Sequence, residues 1–172
     1  ATGVFEVAFL TAFPFPPPFP FYAIQVLFNP QDPSMVSVAG NGIFRTYKAV
    51  DTNLKQQPAP LGKREPQNYT CHAWMPDDRE RLVVASDTGE LLLVEAGEVK
   101  ANLPGTGDNT SIESIVAYSK GFVCGSNNGV LTIYEKSEDK EYYKKAKSFS
   151  IENHPVKIKN LAVSPSEETL IC

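Results

Sequence analysis

Short apolar runs alternate with turn residues along the stretch from residue 68 to residue 103. The runs cover residues 69–74, 82–85, 91–95 and 98–103. Runs of this length, separated by Asp, Gly and Pro, predict four antiparallel β-strands. The second and third runs are almost wholly apolar, which is typical of strands that are buried on both faces. Four such strands cannot bury both faces of their sheet alone, so the pattern predicts similar sheets on either side.

The same pattern recurs along the chain from residue 23. The residues that end the first strands lie 46, 44 and 45 positions apart, and glycines that open the third strands keep the same order. Two independent markers, the residue that ends each first strand and the glycine that opens each third strand, recur in the same order and indicate an internal repeat. A repeat of about 40–45 residues with four strands per unit is typical of WD40 propeller blades. The markers are Phe28, Trp74, Tyr118 and Val163 for the first strands, and Gly42, Gly89 and Gly129 for the third strands.

The turn residues agree with this repeat. Asn-Gly at positions 41–42 and 128–129 predicts type I′ hairpins, in which both central residues have positive φ. Asp-Thr-Gly at positions 87–89 predicts a slightly longer loop that its glycine closes. The glycine of each loop is therefore expected to have positive φ.

The last copy of the pattern is incomplete. Residues 157–164 predict a first strand, and residues 170–172 predict the beginning of a second. Because propellers close with about four to eight blades, we expect a fragment of a longer product or a truncated gene model. The predicted fold is all-β, an incomplete WD40-type β-propeller of three four-stranded blades and the start of a fourth. The blades are placed at about residues 23–57, 68–103 and 112–149, with the incomplete blade at 156–172.

An open series of blades leaves two end faces without a neighbour. Those faces are expected to expose apolar rows from residues 43–47 and 131–134. Since blade stability comes mainly from the interfaces between neighbours, the isolated chain is expected to associate or aggregate.

The first 22 residues form an irregular Pro/Phe-rich segment unlike the rest of the chain. They carry six phenylalanines and five prolines. Three consecutive prolines favour polyproline II and exclude strand or helix ladders. The segment lacks a basic n-region and contains Glu6, which argues against a signal peptide. A recognition segment for an aromatic groove is one interpretation. The favoured one is a fragment end, or sequence that is foreign to the domain and docks loosely or not at all.

Charge and cysteine content narrow the function classes. A net charge of −4 over 172 residues gives no basic field for nucleic acid, so no nucleic-acid partner is expected. No apolar run approaches the ~18–20 residues of a membrane span, so no membrane partner is expected. The cysteines, Cys71, Cys124 and Cys172, are odd in number and widely spaced. This favours reduced thiols over a disulfide framework or a zinc site.

Residues that could carry chemistry are few and scattered. His72 lies in a predicted first strand and His154 in a loop, and two histidines support neither a metal site nor a triad. Residues 105–108 are glycine-rich but lack the Lys of a phosphate loop, so they predict a connector between blades. Residues 77–81 predict a solvated, charged hairpin tip. We therefore expect no catalytic, cofactor-binding or metal-binding residues, and no enzymatic activity.

Residues 136–147 alternate in charge and predict a loop followed by a fourth strand. The basic run at residues 144–147 has two interpretations. An edge strand that its lysines keep soluble is favoured over a contact with an acidic partner such as tubulin.

The repeats resemble WD-repeat domains with degenerate signatures. The Trp-Asp position reads Tyr-Lys at 47–48, Val-Glu at 94–95 and Tyr-Glu at 134–135, and only the segment from His154 resembles the usual Gly-His opening. More narrowly, the chain resembles WD-repeat proteins of motile axonemes across most of residues 24–172. The segments that carry this resemblance are FNPQDPSMVSVAGNGIFRTYK (28–48), REPQNYTCHAW (64–74), AYSKGFVCGSNNGVLTIYEK (117–136) and LAVSPSEETLI (161–171).

The resemblance implies a non-enzymatic scaffold whose loops and blade rims hold partner proteins. In such proteins tandem propellers precede a coiled coil, and they are involved in assembling inner dynein arms of cilia and flagella. The implied partners are axonemal proteins, such as dynein-arm or microtubule-associated proteins, and the implied location is the cytoplasm and the ciliary or flagellar axoneme. Two alternatives stay open: a cytosolic WD-repeat adaptor of another multiprotein complex, and a propeller enzyme whose side chains project into a central channel.

Overall fold

The computed structural model describes residues 23–51, 53–58, 60–62, 64–77, 79–106, 109–138, 142–151 and 156–172. Within these ranges the chain is all-β, with three four-stranded antiparallel sheets and one two-stranded hairpin. No helix in the described ranges is long and apolar enough to cross a membrane. The interpretations of residues 1–22, of Asp78, of Gly107 and Asp108, and of His154 lie outside the described residues.

Each sheet is a meander in which every strand pairs with its neighbours in sequence. The first sheet contains β1 (Ala23–Phe28), β2 (Met35–Gly40), β3 (Ile43–Val50) and β4 (Asn53–Gln56). The second sheet contains β5 (Tyr69–Trp74), β6 (Arg81–Ser86), β7 (Leu91–Glu95) and β8 (Glu98–Leu103). The third sheet contains β9 (Ile112–Tyr118), β10 (Gly121–Ser126), β11 (Val130–Lys136) and β12 (Tyr143–Ser150). The C-terminal hairpin contains β13 (Ala162–Val163) and β14 (Leu170–Ile171).

The sheets pack face to face, and their interfaces form the core. Side chains of consecutive strand residues point to opposite faces, so Leu92 faces the first sheet and Leu93 faces the third. The interface of the first and second sheets contains Met35, Ala39, Phe44, Tyr69, Trp74, Leu82, Val84, Leu92 and Val94. The interface of the second and third sheets contains Cys71, Met75, Val83, Ala85, Leu91, Leu93, Leu103, Ile112, Phe122, Cys124, Tyr134 and Tyr143. The second sheet is therefore buried on both faces.

The strands of the second sheet lie where the sequence predicts them. Tyr69–Trp74, Leu91–Glu95 and Glu98–Leu103 have the predicted bounds, and β6 is longer than predicted by one residue at each end. The prediction of a strand over residues 157–164 is wrong, because only Ala162–Val163 pairs as a strand. Ile158 in the predicted strand donates its backbone N–H to the Ser126 carbonyl oxygen at the end of β10, at 3.1 Å.

The loops before the third strands are closed by glycines, as predicted. Gly42, Gly89 and Gly129 have φ values of 67°, 82° and 79°. The prediction of type I′ turns is wrong, since neither Asn41 nor Asn128 has positive φ. In the β10–β11 loop the reason is length, because residues 127–129 form a three-residue loop that needs positive φ only at its glycine.

The prediction of exposed rows at residues 43–47 and 131–134 is also wrong. Leu131 is buried in a cluster with Ile158, which comes from the segment before the C-terminal hairpin. Tyr47 is buried on the outer face of the first sheet, where it packs against Val36 and Val38 of β2. The exposed apolar side chains of the first sheet lie instead on β1: Ile24 (57% exposed), Val26 (47%) and Phe28 (65%).

Candidate functional site

The first strands of the sheets lie side by side, with β5 packed against both β1 and β9. A groove of about 300 Å³ runs along them and continues to residues 159–161. We call it the first-strand groove. Its lining residues are Ile24, Gln25, Thr70, Cys71, Glu113, Ser114, Ile115, Lys159, Asn160 and Leu161.

Polar groups in the first-strand groove hold neighbouring strands together. The Thr70 hydroxyl donates a hydrogen bond to the Ile112 carbonyl oxygen, which links β5 to β9. The Ser114 hydroxyl donates to the Ile158 carbonyl oxygen at 2.6 Å, which links β9 to the next segment. Glu113 Oε1 lies 3.9 Å from Lys157 Nζ in the segment after the third sheet, and it also accepts a hydrogen bond from Ser111 Oγ at 2.9 Å. These contacts give the groove a structural role between sheets.

The thiols near this groove are buried. Burial raises the pKa of the Cys71 thiol to about 12, and burial followed by the charge of Cys71 raises the pKa of Cys124 well above its usual range. Both thiols are therefore protonated at neutral pH and are poor nucleophiles. All three cysteines are free, and only Cys172 is exposed. In the part of the chain that is described, no group of three or more His, Cys, Asp or Glu side chains is arranged to hold a metal ion.

His72 joins the first and second sheets through buried hydrogen bonds. Its Nε2 lies 2.7 Å from Ser37 Oγ, and its backbone N–H donates to Gln25 Oε1 at 2.7 Å. Ser37 Oγ also donates to the Leu27 carbonyl oxygen at 3.2 Å. Because a hydroxyl has one proton, both contacts of Ser37 are satisfied when His72 is assigned the tautomer with its hydrogen on Nε2. Burial lowers the pKa of His72 to about 4, so the ring is neutral at pH 7.

Turns at one end of the sheets also contact one another. Gln31 Nε2, between β1 and β2, donates to the Met75 carbonyl oxygen at 3.2 Å, between β5 and β6. Glu167, between β13 and β14, accepts hydrogen bonds from the Ser119 hydroxyl and from the Ser119 backbone N–H at 2.7 Å. These bonds lower the pKa of Glu167. Contacts between turns, as well as packing of apolar faces, thus join the first sheet to the second and the third sheet to the C-terminal hairpin.

A cluster of ion pairs fills the junction between the second and third sheets. Arg81 contacts the carboxylates of Glu95 and Asp77, and its guanidinium lies 5.4 Å from the ring centre of Tyr142. Lys136 Nζ of the third sheet lies 3.9 Å from Asp77 Oδ2. The Arg81 side chain is only 12% exposed, so the prediction of a solvated hairpin tip is wrong for this residue. The sequence alone could not reveal the cluster, because three of its partners come from other turns and strands.

The outermost strand of the third sheet, β12, has a different character. It pairs only with β11, and its residues 144–150 are all exposed. This confirms the predicted edge strand. Lys144, Lys145 and Lys147 lie on it, and none of them forms an ion pair with another described residue. We call this strand the basic edge.

Comparison with known proteins relates the chain to one group of proteins. It is 30% identical to cilia- and flagella-associated protein 57 of Mus musculus, over 86% of this chain and 16% of the mouse protein. It is 31% identical to cilia- and flagella-associated protein 57 A of Tetrahymena thermophila, over 84% of this chain and 12% of that protein. The chain thus spans less than a fifth of either relative. No family model matches the chain.

A solved structure shares the fold. A protein from Bacteroides uniformis described as a 6-phosphogluconolactonase superimposes with a TM-score of 0.67, over 87% of this chain and 46% of that one. At 10% sequence identity this likeness shows the fold alone. The sequence similarity carries the relationship, and the chain is homologous to a segment of cilia- and flagella-associated protein 57.

Proposed function

We propose that the chain is part of a protein-interaction scaffold of cilia or flagella. The observation that carries this proposal is the similarity to cilia- and flagella-associated protein 57 along 86% of the chain. Similarity over so many residues reflects whole sheets and their turns, not one short motif. The relatives come from a mammal and a ciliate, and both are named for cilia and flagella.

We propose further that the three sheets are blades of a WD40-type β-propeller, with the beginning of a fourth blade at residues 156–172. Three features support this: the meander order of each sheet, the packing of sheet on sheet, and the position of β1, β5 and β9 side by side. In such a ring the first strands line the channel, and β4, β8 and β12 lie on the outer circumference.

The scaffold is proposed to be non-catalytic. His72 is buried between two sheets with its pKa lowered by burial, and its hydrogen bonds serve to join them. Cys71 and Cys124 lie in the core with pKa values raised by burial. The burial of these three side chains supports structural roles for them. The proposed partners are axonemal proteins, including those that assemble inner dynein arms.

A localisation experiment tests this proposal. The chain, fused to a fluorescent protein, is expressed in Tetrahymena thermophila, and its distribution is imaged before and after detergent extraction. We expect signal along the cilia that resists extraction, and proximity labelling that enriches dynein-arm proteins. Leu93→Asp, which places a charge in a fully buried position, should abolish this signal, and the exposed control Lys55→Glu should retain it.

Diffuse cytoplasmic signal of a folded chain would contradict the ciliary proposal and favour the cytosolic adaptor. Turnover of a small molecule by the purified chain, lost on substitution of a residue in the first-strand groove, would contradict the non-catalytic proposal.

A further inference from the structure

The basic edge differs from the outer strands of the other two sheets. β12 has eight residues, whereas β4 has four and β8 has six. Seven consecutive residues of β12 are exposed, whereas β4 and β8 each include partly buried positions. An edge strand presents a row of unpaired N–H and C=O groups to solvent. β12 therefore offers a long, accessible backbone edge.

The direction of the backbone groups follows from the pairing with β11. The Ile151 N–H donates to the Gly129 carbonyl oxygen at 3.0 Å, so Ile151 points its backbone groups towards β11. In an antiparallel pair the bonded residues alternate, so Phe149 also faces inward and Ser148 and Ser150 face outward. The outward N–H and C=O groups of these two serines can bond an added strand.

The charge of this edge is of one sign. The strand contains Lys144, Lys145 and Lys147 and no acidic residue, although the whole chain has a net charge of −4. Among the described residues, none of these three lysines forms an ion pair. All three lysines are exposed, and Lys147 Nζ lies 5.9 Å from the ring centre of Phe149 on the same strand.

A β-bulge spreads these charges over both faces of the strand. The register shifts between Ile133 and Tyr134, which pair with Lys147 and Lys145. Ile133 and Tyr134 are consecutive and point to opposite faces, so Lys145 and Lys147 also lie on opposite faces. Lys144 pairs with Glu135 and lies on the face of Lys147. A strand complementary to this edge needs negative charge on both of its faces.

We propose that β12 binds an extended acidic segment of a partner protein, which adds to the third sheet as a fifth strand. The partner segment carries consecutive Asp or Glu residues, because alternating ones would place negative charge on one face only. This inference rests on the proposed function as a protein-interaction scaffold, and it names one binding surface and the chemistry of its partner. On a propeller the surface lies at the circumference, so a closed ring leaves it accessible.

The positive charge of β12 also determines which kind of strand can pair with it. Two copies of β12 paired edge to edge would bring the three lysines of each strand together, and like charges across a strand pair are destabilising. Lysines on an edge strand oppose pairing with apolar or basic strands. The same lysines leave pairing with an acidic strand favourable. Nucleic acid would use the charges but not the backbone edge.

Peptide binding to the intact chain tests the proposal. The probe is a fluorescent oligoglutamate peptide as long as β12, and its affinity is measured by fluorescence anisotropy at low and high salt. The matched control peptide has the same sequence with every second backbone nitrogen methylated, which keeps the charge and removes the donors needed for strand pairing. We expect the control peptide to bind at least about tenfold more weakly, because several backbone hydrogen bonds to β12 are lost.

Variants of the chain locate the site. Lys145→Glu/Lys147→Glu should weaken oligoglutamate binding by about tenfold, and Lys55→Glu on β4 should leave it unchanged. Ser150→Pro removes an outward N–H and should weaken binding while thermal unfolding stays as in the wild type, whereas Ser150→Ala should bind normally. These four results together would establish strand addition at β12.

Other results would overturn the proposal. Equal binding of the methylated and unmethylated peptides would show charge attraction without strand pairing. Equal competition by a single-stranded oligonucleotide of the same charge would point to a general polyanion surface. No binding of the peptide at low salt, or binding unchanged in the lysine variant, would exclude this edge. Each of these outcomes is independent of ciliary localisation, so the scaffold proposal can stand if this one fails.

Discussion

At the scale of single residues, Gly89 and Gly97 form a natural pair. Both have left-handed backbones, with φ of 82° and 76°. A Cβ at Gly89 would lie 2.6 Å from the backbone oxygen of Thr110, in the connector to the third sheet, whereas a Cβ at Gly97 would meet nothing within 4 Å. Gly89 is therefore required for close packing as well as for its φ.

Alanine at the two positions separates these requirements. Gly97→Ala should cost about 1–2 kcal/mol, the strain of an L-residue in the left-handed region. Gly89→Ala should cost about 1–3 kcal/mol more, because the connector must also move. Urea unfolding of both variants measures the difference. Equal losses would mean that the connector yields freely.

His72 predicts a pH dependence of stability. Its pKa is lowered to about 4 in the folded chain, so the unfolded chain binds more protons below pH 6.5. The contribution of His72 to the free energy of unfolding is up to about 3 kcal/mol. It is fully present above pH 6.5 and is lost as the pH falls to 4. His72→Gln can keep the bond to Ser37 without titrating, so its stability should fall less over this range. If the wild type and His72→Gln lose the same free energy of unfolding between pH 6.5 and pH 4, His72 is not a buried, neutral histidine.

At the scale of elements, β7 serves two interfaces at once. Leu92 packs against the first sheet and Leu93 against the third, and both are fully buried. A neighbouring pair of residues therefore reports on two different contacts of one strand.

Leu92→Ala and Leu93→Ala should each destabilise the chain by about 2–5 kcal/mol, because each leaves a cavity. Hydrogen exchange should distinguish them, with faster exchange in the first sheet for Leu92→Ala and in the third sheet for Leu93→Ala. The exposed control Val26→Ala should change stability by less than about 0.5 kcal/mol. Uniform loss of protection in all sheets for both variants would instead indicate one indivisible folding unit.

Local pattern predicts much of these elements, and contacts between repeats explain the rest. The strands of the second sheet are predictable because apolar runs and turn residues lie close together in sequence. The Ser37–His72 bond joins residues 35 positions apart on different sheets, and no local pattern marks such a pair. The lysines of β12 predict an edge, but the bulge that divides them between two faces depends on pairing with β11.

At the scale of the whole molecule, β1 exposes three large apolar side chains within six residues, those of Ile24, Val26 and Phe28. Phe28 and Val26 lie on the outer face of the first sheet, beside Val36 and Val38 of β2. A contiguous apolar face that reaches solvent favours association with other chains.

The purified chain should therefore associate as its concentration rises, and Val26→Lys/Phe28→Lys should reduce this association. Light scattering across a concentration series, with Lys55→Glu as the surface control, measures it. A monodisperse wild-type monomer with one sharp urea transition would show that the units close on themselves. The incomplete-propeller proposal would then be wrong.

The shared interfaces have a consequence for how the chain is made on the ribosome. The face of the second sheet that packs against the third sheet cannot be covered until β9–β12 have emerged, and β9 begins 43 residues after β5. At a translation rate of about 5–20 residues per second, one apolar face of each newly made sheet stays exposed to solvent for several seconds. Throughout translation one unfinished face is always present, at the growing end. A chaperone that binds the nascent chain would have to cover the exposed apolar face of each new sheet in turn.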